Sequence, residues 1–262
     1  PEQRCRARVG LHQRGAIMPV ITFANTKGGA GKTTAVLLLS TELARLGYRV
    51  TILDSDPQRW ITRWSETASA PENLQVVSYI TASNIQTHLR EHKPTTDYFI
   101  IDLPGASSPL MAVAIGLSDH VIVPIQGCAM DAVGGAEVLG LLKDLADRCD
   151  IHIPHSVILT RISPIITTRS MQAVKSLLAE KMVHVVGTPL VERAAYRDMF
   201  VTGGAPHMMD PERVSNLDKA CENAQALALD VLSLVPAKTV AAKSAKAAGA
   251  KAVASQPAKK AA

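Results

Sequence analysis

Aromatic residues are nearly missing from this chain: three Phe, four Tyr and two Trp among 262 residues. Any buried core must therefore be built from Ala, Val, Leu and Ile, and the 47% apolar fraction supplies enough of them. No aromatic interleaves the basic residues, which argues against a surface that stacks on single-stranded bases. Long apolar runs are absent too. None approaches the roughly 20 residues that a bilayer-crossing helix needs. Residues 1–17 carry arginines but no apolar segment of a secretory leader. Cysteine is scarce: Cys5, Cys128, Cys149 and Cys221 are far apart, which excludes a C-x-x-C metal or redox motif. They read as isolated small hydrophobes in a reducing cytosol.

Acidic residues are missing where basic ones collect. Residues 1–17 hold four arginines against one glutamate, and residues 237–262 hold six lysines and no acid. Of the net +5, the two ends thus carry +3 and +6, and the body between them is −4. The basic balance belongs to the ends, so a general electrostatic argument for nucleic-acid binding does not apply to the body. Residues 1–17 lack apolar periodicity and read as a disordered extension, with Met18 a natural start. Residues 237–262 read as a disordered Ala/Lys-rich tail, either an electrostatic anchor or a solubilising segment.

Between them, short apolar runs alternate with longer amphipathic stretches. Strands are expected at 20–24, 50–53, 74–79, 98–102, 120–124, 156–160 and 183–187. Helices are expected at 33–46, 57–66, 82–92, 109–116, 132–148, 167–181 and 211–234. Such alternation implies βαβ units, hence one α/β domain over residues 18–236 with a mostly parallel sheet flanked by helices. Near-continuous apolar strands fit a sheet covered on both faces.

The segment Lys27-Gly28-Gly29-Ala30-Gly31-Lys32-Thr33-Thr34 lies between the first strand and the first helix. Glycines let backbone N–H groups turn toward phosphate oxygens, and the helix start adds partial positive charge. Lys32 is placed to reach the β- and γ-phosphates of ATP, and the Thr33 hydroxyl to ligate Mg²⁺. The position where such loops usually open on glycine is Thr26, and Lys27 follows it. Ile52-Leu53-Asp54-Ser55-Asp56-Pro57-Gln58 ends the second strand, and Tyr98-Phe99-Ile100-Ile101-Asp102 is an apolar strand closing on a carboxylate. Ligands of parallel α/β sheets sit beyond such carboxyl ends.

These three motifs, in this order, resemble the ParA/MinD family of ATPases. The resemblance covers roughly Pro19 to Leu234 and includes Val121-Ile122-Val123-Pro124-Ile125-Gln126. It implies a P-loop fold, ATP and Mg²⁺ as cofactors, and weak hydrolysis to ADP and phosphate. It assigns Lys27 to the nucleotide of a partner subunit in an ATP-bound homodimer, Asp56 to the attacking water, and Asp54 and Asp102 to the magnesium shell. Thr160, Arg161 and the Pro189–Val191 segment are implied near adenine. Leu103 and Gly105 depart from the family's usual residues after Asp102.

Other branches are tested by what is absent. The tail lacks the bulky apolar face of a membrane-surface helix such as MinD-like proteins carry. Paired cysteines for an iron–sulfur branch are missing, and the tyrosines are scattered. Too few residues precede Met18 for a helix-turn-helix domain. A small ParA-type partition ATPase remains, and Trp60-Ile61-Thr62-Arg63-Trp64 is similar to the ParA-like T-DNA transfer helpers. The resemblance implies non-specific binding of nucleoid DNA, with Arg193, Arg169 and Lys175 as candidate contacts, and a ParB-like or cargo adaptor partner. The alternatives are a MinD-like membrane-surface regulator or an ATP-dependent synthetase on the same fold. Trp60 and Trp64 share a helical face, for core packing or for a partner.

Overall fold

The computed structural model describes residues 18–67, 70–127, 129–163 and 168–237. The two terminal segments read above as disordered lie outside the described residues, apart from Ala237.

Six strands form one sheet: β1 (Val20–Phe23), β2 (Val50–Asp54), β3 (Leu74–Val77), β4 (Tyr98–Asp102), β5 (His120–Gln126) and β6 (His155–Thr160). Their order is β3-β2-β4-β1-β5-β6, and every pairing is parallel. Among the described residues eight α-helices accompany them: α1 (Lys32–Arg45), α2 (Trp60–Thr67), α3 (Ile85–His92), α4 (Pro109–Gly116), α5 (Ala129–Cys149), α6 (Arg169–Glu180), α7 (Ala194–Thr202) and α8 (Leu217–Leu234).

Strand alternation divides the core into two layers. Ile21, Phe23, Ile52, Ile100, Ile122 and Ile158 face α1, α2, α7 and α8. Leu53, Phe99, Ile101, Val121, Val123 and Leu159 face α3, α4, α5 and α6. Full burial of each such side chain stabilises by roughly 1.5–3 kcal/mol. Helix α1 is sealed almost all round, from Ala35 through Ala44, because it lies against both the sheet and α8. Among the described residues no helix is long and apolar enough to cross a membrane.

Three expectations change. Residues 183–187 do not form a seventh strand; Val185 makes one isolated parallel bridge to Val157. Past Val186 the pairing lapses and resumes at Leu190, whose N donates to Leu159 O (2.8 Å), so β6 is flanked by irregular backbone rather than by a seventh strand. The last helix begins at Leu217, because Asn216 in a left-handed conformation (φ 55°) breaks the chain direction. Helix α7 was not expected. It is short and hemmed between Pro189 and Gly203-Gly204, yet Tyr196, Met199 and Phe200 repeat at helical spacing and bury its inner face.

Candidate nucleotide site

The central strand β1 lies between β4 and β5, and the chain leaves it toward β2 on one side while β4 leads to β5 on the other. The carboxyl ends of β1 and β4 therefore border a crevice, the usual ligand position in such sheets. Residues 24–31 fill it. Asn25 is fully buried; its Nδ2 donates to Pro124 O (2.7 Å), and its Oδ1 accepts from Lys27 N (2.8 Å). That amide ties the loop base to β5. Gly29 (φ 79°) and Gly31 (φ 87°) adopt left-handed conformations that a side chain would strain.

Two loop carbonyls are gripped from behind. Gln126 Nε2 donates to Gly29 O, and Thr160 Oγ1 donates to Ala30 O (2.8 Å). In a planar trans peptide the N–H points opposite its carbonyl, so these grips turn the Ala30 and Gly31 N–H groups the other way. Gly31 also caps α1 with no side chain, leaving the first helical N–H groups for a ligand. Gly105 presses on the loop: a Cβ there would sit 2.7 Å from the Gly28 backbone.

Lys32 is buried, with Nζ donating to Lys27 O (3.0 Å). Desolvation lowers its pKa, opposed by the charges of Asp102 and Asp56. Asp102 is fully buried, and among the described residues neither carboxylate oxygen has a hydrogen-bond partner. Burial raises its pKa to about 8; the Thr33 hydroxyl and Lys32 offset this, while Asp54 and Asp56 add to it. Thr33 stands near enough to act on Asp102 without closing a bond of good geometry. Orphaned carboxylate oxygens beside a hydroxyl and two further acids form a donor set suited to Mg²⁺, which takes oxygen ligands.

Asp54 pairs in register with Asp102 across β2 and β4. Its Oδ2 accepts from Thr62 N (2.9 Å) and Thr62 Oγ1 (2.7 Å), capping α2 from a distance, and its Oδ1 accepts from Asp56 N (3.3 Å). Both Asp54 oxygens are thus engaged by donors of the following turn, and its charge acts on Asp102. Asp56 lines the cleft and accepts from Gln58 N (2.8 Å).

The cleft measures about 440 Å³ and is walled by Gly28–Thr34, Asp56, Gly105 and four residues sequence reasoning missed: Trp60, Tyr196, Arg197 and Phe200. Arg161 lines both it and a smaller recess of about 70 Å³, bounded by Thr34, Thr160 and Leu190–Arg193. Thr160 and Arg161 thus meet at the recess. Of the 189–191 segment, Leu190 and Val191 line the recess, while the Pro189 carbonyl accepts from Asn223 Nδ2 (2.9 Å). Arg193 also belongs to this wall, with Nε sealed from water and unpartnered among the described residues. Arg169 and Lys175 are exposed on α6, so the three candidate DNA contacts do not share one element. Lys27 lines a separate cleft of about 410 Å³ with Ser107, Val133, Gly134 and Glu137.

Comparison with known proteins agrees with this geometry. The family model described as VirC1 protein matches residues 18–237. Protein ParA of Rhizobium radiobacter is 38% identical over 214 residues, covering 82% of this chain and 96% of that protein. Protein virC1 of Rhizobium rhizogenes is 30% identical over 191 residues, covering 71% and 82%. In fold, the chain is similar to the ATP complex of a Cyanothece McdA variant, with TM-score 0.65 at 16% identity over 83% of this chain and 97% of that one. With its phosphate loop, its orphaned Asp102 and this match over nearly all described residues, the chain belongs to the VirC1 group of the ParA/MinD family of ATPases.

Proposed function

We propose that this protein is an ATP-driven positioning ATPase that dimerises on ATP, binds duplex DNA without sequence preference and hydrolyses ATP slowly until a partner on its cargo accelerates it. The observation that carries the reading is the division of labour between two lysines of one loop. Lys32 is drawn in among Asp102 and Asp56, at the phosphates' expected place. Lys27, five residues earlier, lines a different cleft, with Ser107, Val133 and Glu137. A charge supplied across an interface acts on transferring phosphoryl groups as a finger does in trans.

In this reading Lys32 exchanges its bond to the Lys27 carbonyl for phosphate oxygens, and the Ala30 and Gly31 N–H groups cradle them. Thr33 and Asp102 would hold magnesium, which when bound neutralises charge between the phosphates; Asp54 steadies the turn behind them. Asp56 orients the attacking water. Thr160, Arg161 and Leu190–Val191 enclose the base. The γ-phosphate favours the dimer through contacts that vanish on hydrolysis. DNA contacts fall to Arg169 and Lys175, with Arg193 coupling the recess to that surface. Similarity to a chromosome-partitioning ATPase and to a carboxysome-distribution protein supports a positioning role.

The test is a gel shift on non-specific duplex DNA at low salt, with and without ATP, read beside size-exclusion chromatography. Wild-type protein should shift DNA and elute as a dimer only with ATP. Lys27→Ala should still bind ATP yet fail to dimerise, whereas Lys32→Ala should lose both. Dimerisation by Lys27→Ala as in wild type would refute the trans role, and absence of an ATP-dependent shift would refute DNA binding.

A further inference from the structure

Helix α3 carries His88, Glu91 and His92, spaced so that all three project from one face. Their ligand-capable atoms lie within 4.8 Å of one another. His88 Nδ1 is sealed from water and has no hydrogen-bond partner among the described residues. It stands 3.6 Å from Glu91 Oε2, too far for a hydrogen bond. That gap is close to the roughly 3.3–3.5 Å between two ligands of one tetrahedral zinc ion with bonds of about 2.0–2.1 Å. The imidazoles of His88 and His92 lie side by side, ring centres 6.3 Å apart and planes 25° apart.

The scaffold beneath is fixed. Ile85 is buried and Leu89 packs on the core layer. The His92 carbonyl accepts from Thr95 Oγ1 (3.1 Å) and Thr96 Oγ1 (2.8 Å), and Thr96 Oγ1 also bonds Thr51 Oγ1 (2.6 Å). The last helical turn offers partial negative charge, which favours a cation. Of the flanking cations, Arg90 is held on Gln86 O (3.3 Å) and Lys93 is exposed. Because α3 returns from β3 to the start of β4, its end lies at the amino edge of the sheet, opposite Asp102.

We propose that His88, Glu91 and His92 form a surface site for zinc(II) or a neighbouring late first-row metal ion, unrelated to the magnesium of the nucleotide. Two imidazoles and one carboxylate leave a fourth tetrahedral position open, for water or for a side chain of another molecule. The ligand set disfavours magnesium and calcium, which prefer oxygen donors.

The test uses the full chain, stripped with a chelator and free of nucleotide, titrated with zinc chloride against a chromophoric competitor at neutral pH. A single equivalent of zinc should outcompete the dye in wild type and in Asp102→Asn. It should be lost in His88→Ala and in His92→Ala, each with unchanged circular dichroism; His92→Gln serves if the alanine variant misfolds. Zinc uptake surviving the double variant His88→Ala/His92→Ala, failure of wild type to compete, or loss of uptake in Asp102→Asn would each overturn the proposal.

Discussion

At Asp102, burial and two neighbouring carboxylates push in one direction, toward a protonated acid. Its ordinary pKa near 4 in the unfolded chain lies below its folded value of about 8. Between these values the folded state binds more protons, so its contribution to stability falls as pH rises through that window. Metal-free, nucleotide-free Asp102→Asn should lack this slope in urea melts taken from pH 5 to 9, while magnesium-dependent ATP binding disappears. Gly105 gives a steric counterpart. Gly105→Ala forces a Cβ onto the Gly28 backbone, and overpacking of this kind costs about 1–3 kcal/mol. Fluorescent ATP-analogue titration should show weakened binding with a lowered Tm; unchanged affinity would mean the loop yields freely. Single residues also mark where sequence stopped being informative. The identity of Asp102 as a buried carboxylate followed from the apolar run before it. That Asp54 would turn to Thr62 did not, because a carboxylate two residues from another carries no sign of which helix start it caps. Trp60 and Trp64 share a spacing yet part in fate: Trp64 is 2% exposed and donates to Gly204 O (2.9 Å), whereas Trp60 is 48% exposed at the cleft. Periodicity reports a common face, not where the neighbouring element ends.

Among the elements, the strands were legible because each is an apolar run closed by polar residues, and two sides of cover made those runs nearly continuous. The run at 183–187 has the same composition but one bonding neighbour, and its pairing breaks after Val186, to resume only at Leu190. Nothing local distinguishes an edge run that stays from one that leaves. The seam between β5 and β6 holds a further element-level feature. His120 Nε2 bonds Ser156 Oγ (2.9 Å), which bonds His184 Nδ1 (2.8 Å). Burial first, then His155 and His184, lower the His120 pKa to about 4. The unfolded imidazole titrates near 6.5, so the unfolded chain binds the extra proton between those values and stability falls as pH drops from about 6.5 to about 4. The loss is at most about 3 kcal/mol. His120→Gln, able to keep a bond to Ser156, should flatten it. Glu42, held below its ordinary pKa by His207 and Arg45 against desolvation, contributes stability that is lost as pH falls below that ordinary value, joining the His120 effect at the acid end of its window.

For the molecule as a whole, the nucleotide cleft draws its walls from α1, the β2–α2 turn, the β4–α4 turn and α7, so a ligand there ties both core layers together. ATP with magnesium at a hundredfold excess over its Kd should add about 2.7 kcal/mol to stability. Differential scanning fluorimetry should show this as a raised Tm in wild type and none in Lys32→Ala. The amino edge is closed separately: Tyr98 Oη donates to Val235 O (2.9 Å) and accepts from Ala237 N (2.8 Å), pinning the end of α8 away from the phosphate side. The strand order has one more consequence, for the chain as it is made. β1 emerges first, yet its sheet partners are β4, whose Phe99 faces Val20, and β5, whose His120 faces Ile21. At about 5–20 residues per second, several seconds pass before either leaves the ribosome. Until then Val20–Phe23 is an unpaired apolar strand, and the phosphate loop behind it has neither Pro124 to anchor Asn25 nor Gln126 to hold Gly29. A nascent chain thus holds this strand open until β4 and β5 follow, and the side chains that fix the phosphate loop arrive only with Gln126 and Thr160.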